Sequence, residues 1–228
     1  MSKPPMQASP IVQGRETKAD RRDRILTEAR ALLAAGGSEG MSLRRLATRA
    51  RVTVPTIYNL VGGKSQVLLE LTTELVVEIE GALEAIAEVR PLERAEAVIC
   101  GAISAFERAP EFHRAALLAI DALDRDARGP DWDRLGERAS AMQEKAALAA
   151  QAAGLLEGRI PARLIGEHIF RTYRSASRDW SRRRLSLAEF RRIALSGVYL
   201  AFAADASEPF RRHLATRLNR LGSIAGEA

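Results

Sequence analysis

Arg44, Arg45, Arg49, Arg51 and Lys64 crowd one short stretch of the chain, with Thr56 and Asn59 among them. Guanidinium groups pair with phosphate and, bidentately, with the acceptor edge of guanine; a side-chain amide matches adenine. This set of side chains is suited to recognising a polyanion rather than to making or breaking bonds. The charge distribution points the same way. Residues 1–65 hold twelve basic and five acidic side chains, a net of +7, whereas residues 66–228 hold 23 and 24. The whole excess of the +6 chain therefore sits in its first third, attached to a nearly neutral body.

Those cations need elements to hold them. Residues 1–18, with Pro4, Pro5, Pro10 and Gly14, read as a mobile tail. Beyond them, Ala, Leu, Arg and Glu dominate with few alternating β-branched residues, so an all-α fold is expected. Ile25, Ala29, Leu32 and Leu33 recur at helical spacing over 20–35, and Gly36, Gly37 and Gly40 end that helix. Ser42 is the expected N-cap of a short helix over 43–50, with Leu43, Leu46 and Ala47 inward and the arginines outward. Thr53 caps the next, over 54–60, with Pro55 in its first turn. The two short helices make a helix-turn-helix unit in which Leu46, Ala47, Val52 and Ile57 join the helices. Arg44, Val54, Pro55, Thr56 and Asn59 then face outward, where such a unit meets a major groove.

The chain resembles the DNA-binding domain of TetR-family transcriptional regulators over 21–70. The residues that carry the likeness are Leu46-Ala47, Val52-Thr53, Thr56-Ile57-Tyr58, Val61 and Lys64, in matching order. The resemblance implies that Arg44 reads a base and that Arg45, Thr56, Tyr58 and Lys64 contact the duplex. Lys64 would bind phosphate at the start of a fourth helix. Val54 and Pro55 would make apolar contacts, and Asn59 could pair with adenine. The pattern departs from the family at Arg51, where many members have Gly, at Leu60 and Val61, and at Ser65-Gln66. A left-handed backbone at Arg51 would cost about 1 kcal/mol.

The resemblance further implies three parts: the tail, a DNA-binding domain over 19–66, and a helical effector-binding and dimerisation domain over 67–228. A long helix is expected over 64–89, with Val67, Leu71, Leu75, Ile79, Leu83 and Ile86 on one stripe. Pro91, Pro110, Gly129-Pro130 and Ile160-Pro161 divide the remainder into helices over about 92–107, 111–124, 131–153, 161–182 and 187–206, with a short one over 209–220. Phe106, Phe112, His113, Trp132, Met142, Phe170 and Tyr173 fall on the expected pocket helices and are the effector-contacting candidates. Few polar groups interrupt these apolar faces, which favours an apolar or amphipathic small molecule. Ile169, Ala176, Trp180, Ile193, Gly197 and Ala201 are the candidates for a homodimer interface built from the last two long helices.

Other chemistry finds little support. The segment 124–129 imitates a calcium loop, but Arg128 and Leu135 occupy ligand positions. His113, His168 and His213 are far apart and lack metal-ligand company, so no metal, cofactor or catalytic residue is expected. Cys100, the single cysteine, forbids an intramolecular disulfide and suits a reducing compartment. The longest apolar run, 193–204, is too short to cross a bilayer, and no secretory signal is apparent, so a cytoplasmic protein is expected. The reading that results is a ligand-responsive regulator, by family default a repressor, that binds a near-palindromic operator in double-stranded DNA as a homodimer. The alternative is a helical small-molecule carrier or enzyme with an incidental basic head.

Overall fold

A computed structural model describes residues 16–84, 90–123 and 129–223. Residues 1–15 of the expected tail, Ile86 of the expected stripe and the calcium-loop imitation over 124–128 lie outside them. The described residues form ten helices joined by short connections, an all-α fold.

Each of the first three helices starts where a hydroxyl can take up orphan backbone N–H groups. Thr17 opens α1 (Lys18–Gly40) in a capping box with Asp20, and Gly37 leaves helical geometry near its end. Ser42 accepts from the Arg45 N–H to open α2 (Leu43–Arg49), and Thr53 accepts from the Thr56 N–H to open α3 (Val54–Leu60). Ile25, Ala29 and Leu33 of α1 pack against Leu46, Ala50 and Ile57, all without measurable exposure. Val67, Leu68 and Leu71 of α4 (Lys64–Glu84) complete this core, as do Ala115, Ala116 and Ala119 of α6 (Pro110–Asp121). The basic head thus shares its core with two helices of the body.

Proline starts the next helices as the sequence anticipates: Pro91 in α5 (Pro91–Arg108), Pro110 in α6 and Pro130 in α7 (Pro130–Ala152). Pro161 precedes α8 (Ala162–Ser181). A Ser186–Glu189 capping box opens α9 (Leu187–Ala203), and α10 (Glu208–Ser223) closes the fold. α8 and α9 lie antiparallel. The Trp180 ring lies 6.3 Å from that of Phe190, and a Cβ at Gly197 would stand 2.7 Å from Thr172 Cγ2. That close approach within one chain explains the small residue at 197.

The same packing covers most of the residues expected at a dimer surface. Ile169 and Trp180 have no exposed surface, and Ala176, Gly197 and Ala201 are buried in the chain's own core. Of the six, only Ile193 stays half-buried. Periodicity located the apolar faces but could not tell an internal helix contact from an external one.

One buried acid, invisible to sequence patterning, ties two connections together. Asp205, fully buried, accepts from the N–H groups of Gly158 (2.9 Å), Arg159 (3.0 Å) and Ile160 (3.3 Å). Its own carbonyl accepts from Glu157 N–H at 2.8 Å. The α7–α8 and α9–α10 connections are pinned to each other in this way.

Candidate functional site

The outward face of α2 and α3 collects the expected DNA-contacting residues. Arg44, Arg45, Pro55 and Asn59 are exposed, Val54, Thr56 and Lys64 half-buried, and Tyr58 is 57% exposed, unusual for so large an aromatic side chain. The head's cations divide into two groups. Arg22 pairs with Glu70 (2.7 Å), Arg49 with Glu28 (2.6 Å), and Arg24 and Arg30 with Glu16 and Glu74. Three of these pairs hold α1 to α2 and α4, and Arg24–Glu16 fastens its own N-terminal end. Arg44, Arg51 and Lys64 form no ion pair among the described residues, and the Arg45 guanidinium donates to the Gly40 carbonyl (3.2 Å). Unpaired cations beside exposed hydroxyl and amide groups make a surface ready for phosphate and base edges.

The turns that aim this face are strained where the sequence departs from the family pattern. Arg51 adopts φ 51°, the left-handed region, so the predicted penalty of about 1 kcal/mol applies. Its turn is closed by Val52 N–H donating to the Ala47 carbonyl (3.0 Å) and by Arg24 Nε donating to the Ala50 carbonyl (2.8 Å). At Gly62, φ is 122° and a Cβ would stand 2.8 Å from Gln66 Cβ, so only glycine lets the chain turn into α4 and place Lys64 at its first position.

The second feature is a cavity of about 260 Å³ enclosed by α4, α5, α6, α7 and α8. Phe106, Phe112, His113, Trp132, Met142, Phe170 and Tyr173 all line it; the structure gathers the seven effector candidates around one space. Ile169, expected at the dimer surface, lines it as well. The wall is mostly aliphatic and aromatic, with Leu71, Leu75, Ile79 and Ile99 between the rings. Three of its titratable groups, His113, Tyr173 and Asp121, are held uncharged or paired. Burial, reinforced by the nearby Arg108 charge, lowers His113 to about 4, so its imidazole is neutral at pH 7. Burial pushes the Tyr173 phenol well above its ordinary range. Asp121 is held by Arg178 (3.0 Å) and Arg182 (3.2 Å).

Two polar residues at this site escaped the sequence reading. Ser65, in the first turn of α4, accepts from Trp132 Nε1 at 3.0 Å. A wall residue of the cavity is thereby tied to the residue next to Lys64. Gln143 is 2% exposed and lines the cavity. In sequence it looks like one more polar position on a helix. The sign that could have revealed it is its spacing from Ala139, Ala146 and Ala150, which sets it on the apolar face.

Residues 25–71 match the family model of bacterial regulatory proteins of the tetR family. The head is a tetR-family domain. Beyond the head, solved structures of the tetR-type fold are similar to most of the chain. A TetR transcriptional regulator from Rhodococcus sp. RHA1 is 16% identical with a TM-score of 0.62, over 79% of this chain and 94% of that one. FadR from Bacillus subtilis, in complex with stearoyl-CoA, is 16% identical with a TM-score of 0.63, over 77% and 96%. FadR from Thermus thermophilus, a TetR-family repressor in complex with lauroyl-CoA, is 18% identical with a TM-score of 0.61, over 77% and 94%. No curated protein sequence matches the chain. Among the described residues, no helix is long and apolar enough to cross a membrane.

Proposed function

We propose that this tetR-family chain is an effector-responsive regulator that binds a near-palindromic DNA operator as a homodimer and is released by a small molecule. In this reading residues 19–66 bind DNA, while residues 67–228 carry the effector cavity and the dimer contacts. Arg44 reads a base, Arg45, Thr56, Tyr58 and Lys64 contact the backbone, and Val54, Pro55 and Asn59 complete the groove-facing surface. Repression is the family default.

The observation that carries the reading is the shared wall between cavity and head. Phe112 and Trp132 line the cavity and also pack against the head's core, and Trp132 donates to Ser65 beside Lys64. A ligand that reorients Trp132 shifts the start of α4, and with it the spacing of two reading helices on one duplex. Release requires that the ligand bind the displaced arrangement better than the DNA-ready one. The acyl-CoA ligands of the two FadR neighbours support an effector with a long apolar part.

The dimer surface is assigned to the outer side of the same last two long helices. Leu164 of α8 and Leu200 of α9 are more than half exposed, near one end of the antiparallel pair, and Ile193 is half-buried. They join the candidates of the two helices, Ile169, Ala176, Trp180, Ile193, Gly197 and Ala201, as the apolar part of a two-fold contact.

The deciding experiment is selection of duplexes from a random pool by the full chain, followed by salt titration on the enriched sequence. The expected result is a two-fold-related site with half-sites about one helical turn apart and binding that falls steeply with salt. Enrichment of no sequence, with weak salt dependence, would leave a carrier or enzyme with an incidental basic head.

A further inference from the structure

Gln143 projects from α7 where it crosses α5. Its Nε2 donates to the Ala95 carbonyl at 3.1 Å, and because that carbonyl can only accept, the amide orientation is fixed. The other half of the amide, Oε1, is buried and has no hydrogen-bond partner in the protein. Buried carbonyl oxygens are rarely left this way, because an unmatched acceptor in an apolar setting is destabilising. Gln143 belongs to the cavity wall, whose least exposed residues also include Ile99 at 2%, Phe106 at 1% and Ile169 at 0%. Asp133, Arg174 and Arg178, all exposed, mark the opposite, open side. Gln143 thus belongs to the buried, closed end of the lining rather than to the open side.

From this geometry we infer that the effector is an apolar molecule that buries a hydrogen-bond donor, a hydroxyl or N–H, against Gln143 Oε1. The inference rests on reading the cavity as the effector site and adds the chemistry of the ligand's inner end. An acceptor selects for a donor and against an anion. A carboxylate brought to Oε1 would set two oxygens against each other with no cation in the closed end to compensate. The titratable lining fits a neutral guest, since His113 lies uncharged against Phe106 and Phe112, and Asp121 is already held by two arginines. A guest without a donor leaves Oε1 unmatched. Selection of this kind is sharper than selection by one methylene, because a polar group in the site is left unmatched by the wrong ligand.

Two isomeric probes isolate the donor: n-nonanol, which ends in a hydroxyl, and methyl octyl ether, which has the same atoms and no donor. Nonanoate supplies the anionic arm. Titration calorimetry on the full chain is expected to show n-nonanol binding at least tenfold more tightly than the ether, with nonanoate weakest. In Gln143→Leu the alcohol and the ether are expected to bind within twofold of each other. If that variant does not fold, Gln143→Met keeps the length without the acceptor, and the wild-type comparison of the two isomers decides by itself. Equal binding of the isomers to the wild type, a preference that survives removal of the amide, binding of nonanoate alone, or binding of none of the three overturns the inference. The regulatory reading is scored separately on operator DNA. Probes that bind without donor preference but release DNA defeat only the donor assignment. Donor-selective probes that leave DNA binding unchanged defeat only the regulatory reading.

Discussion

The head and the cavity treat charge in opposite ways. On and beside the outer face of α2 and α3, Arg44, Arg51 and Lys64 stand without ion-pair partners among the described residues, whereas the arginines that join α1 to its neighbours, such as Arg22 and Arg49, are matched by Glu70 and Glu28. Around the cavity, Asp121 is paired twice and His113 is held neutral. A surface that keeps cations unmatched is built for an external polyanion, because neutralising them internally would remove the counterion release that drives binding. An interior that matches or neutralises its charges is built for an uncharged guest. The contrast shows where each part expects its partner's charge to come from.

The largest predicted effect tests whether the body is a rigid frame for that interior. Asp205→Ala leaves three backbone N–H groups without their carboxylate, and a loss of about 3 kcal/mol in unfolding free energy is expected by urea denaturation. A loss under about 1 kcal/mol would mean that the two connections hold without it. On the head, Arg44→Ala is expected to weaken operator binding by about 1–3 kcal/mol and to relax base preference at one position per half-site. Lys64→Ala should instead weaken all sequences alike and reduce the salt slope by about 1. Equal losses on operator and random duplex from Arg44→Ala would remove its base-reading role.

Acid probes the neutrality of the cavity. His113 is lowered to about 4 in the folded chain, against an ordinary value of 6.5. Above pH 6.5 neither folded nor unfolded state carries its proton, so the residue contributes no pH dependence there. Between pH 6.5 and 4 the unfolded chain takes up the proton and the folded chain does not, so stability falls as pH falls, by at most about 1.4 kcal/mol per unit. His113→Gln should flatten that part of the stability profile relative to wild type; coincident profiles would show that burial does not exclude the proton. The smallest effect belongs to the link between the two regions. Trp132→Phe keeps most of the ring and removes the bond to Ser65, a change of about 1 kcal/mol. It should leave operator affinity nearly unchanged and shift the effector concentration for half-release severalfold, measured by fluorescence anisotropy of labelled operator.

The local rules written in the sequence were the most legible part of this molecule. Ser42 and Thr53 announce their helices because capping needs only a hydroxyl three residues before an N–H, and Pro91, Pro110 and Pro130 mark starts because their missing N–H is harmless there. The seven cavity residues were legible as a group through their aromatic character and the family resemblance. The side of α8 and α9 that a partner copy would use was not. Trp180 and Ile169 obey the same helical period whether they meet α9, α5 or another copy, and only burial distinguishes these cases. Asp205 was equally hidden, since its three donors come from a segment 45 to 47 residues away. Gln143 was overlooked because composition registers a polar side chain without showing that half of it has no partner.

The chain contains two tryptophans, and their placements differ in a way an optical experiment can use. Trp180 is sealed beneath Arg114, whose guanidinium lies 4.2 Å from the ring, so its emission gives a constant background. Trp132 is half-buried on the cavity wall with its indole N–H bonded to Ser65, so its emission reports the polarity of the cavity and the integrity of that bond at once. The protein thus carries an intrinsic dye at the junction of its two tasks. Compounds can be screened against the unlabelled chain by the colour of its own fluorescence, with Trp132→Phe as the blank.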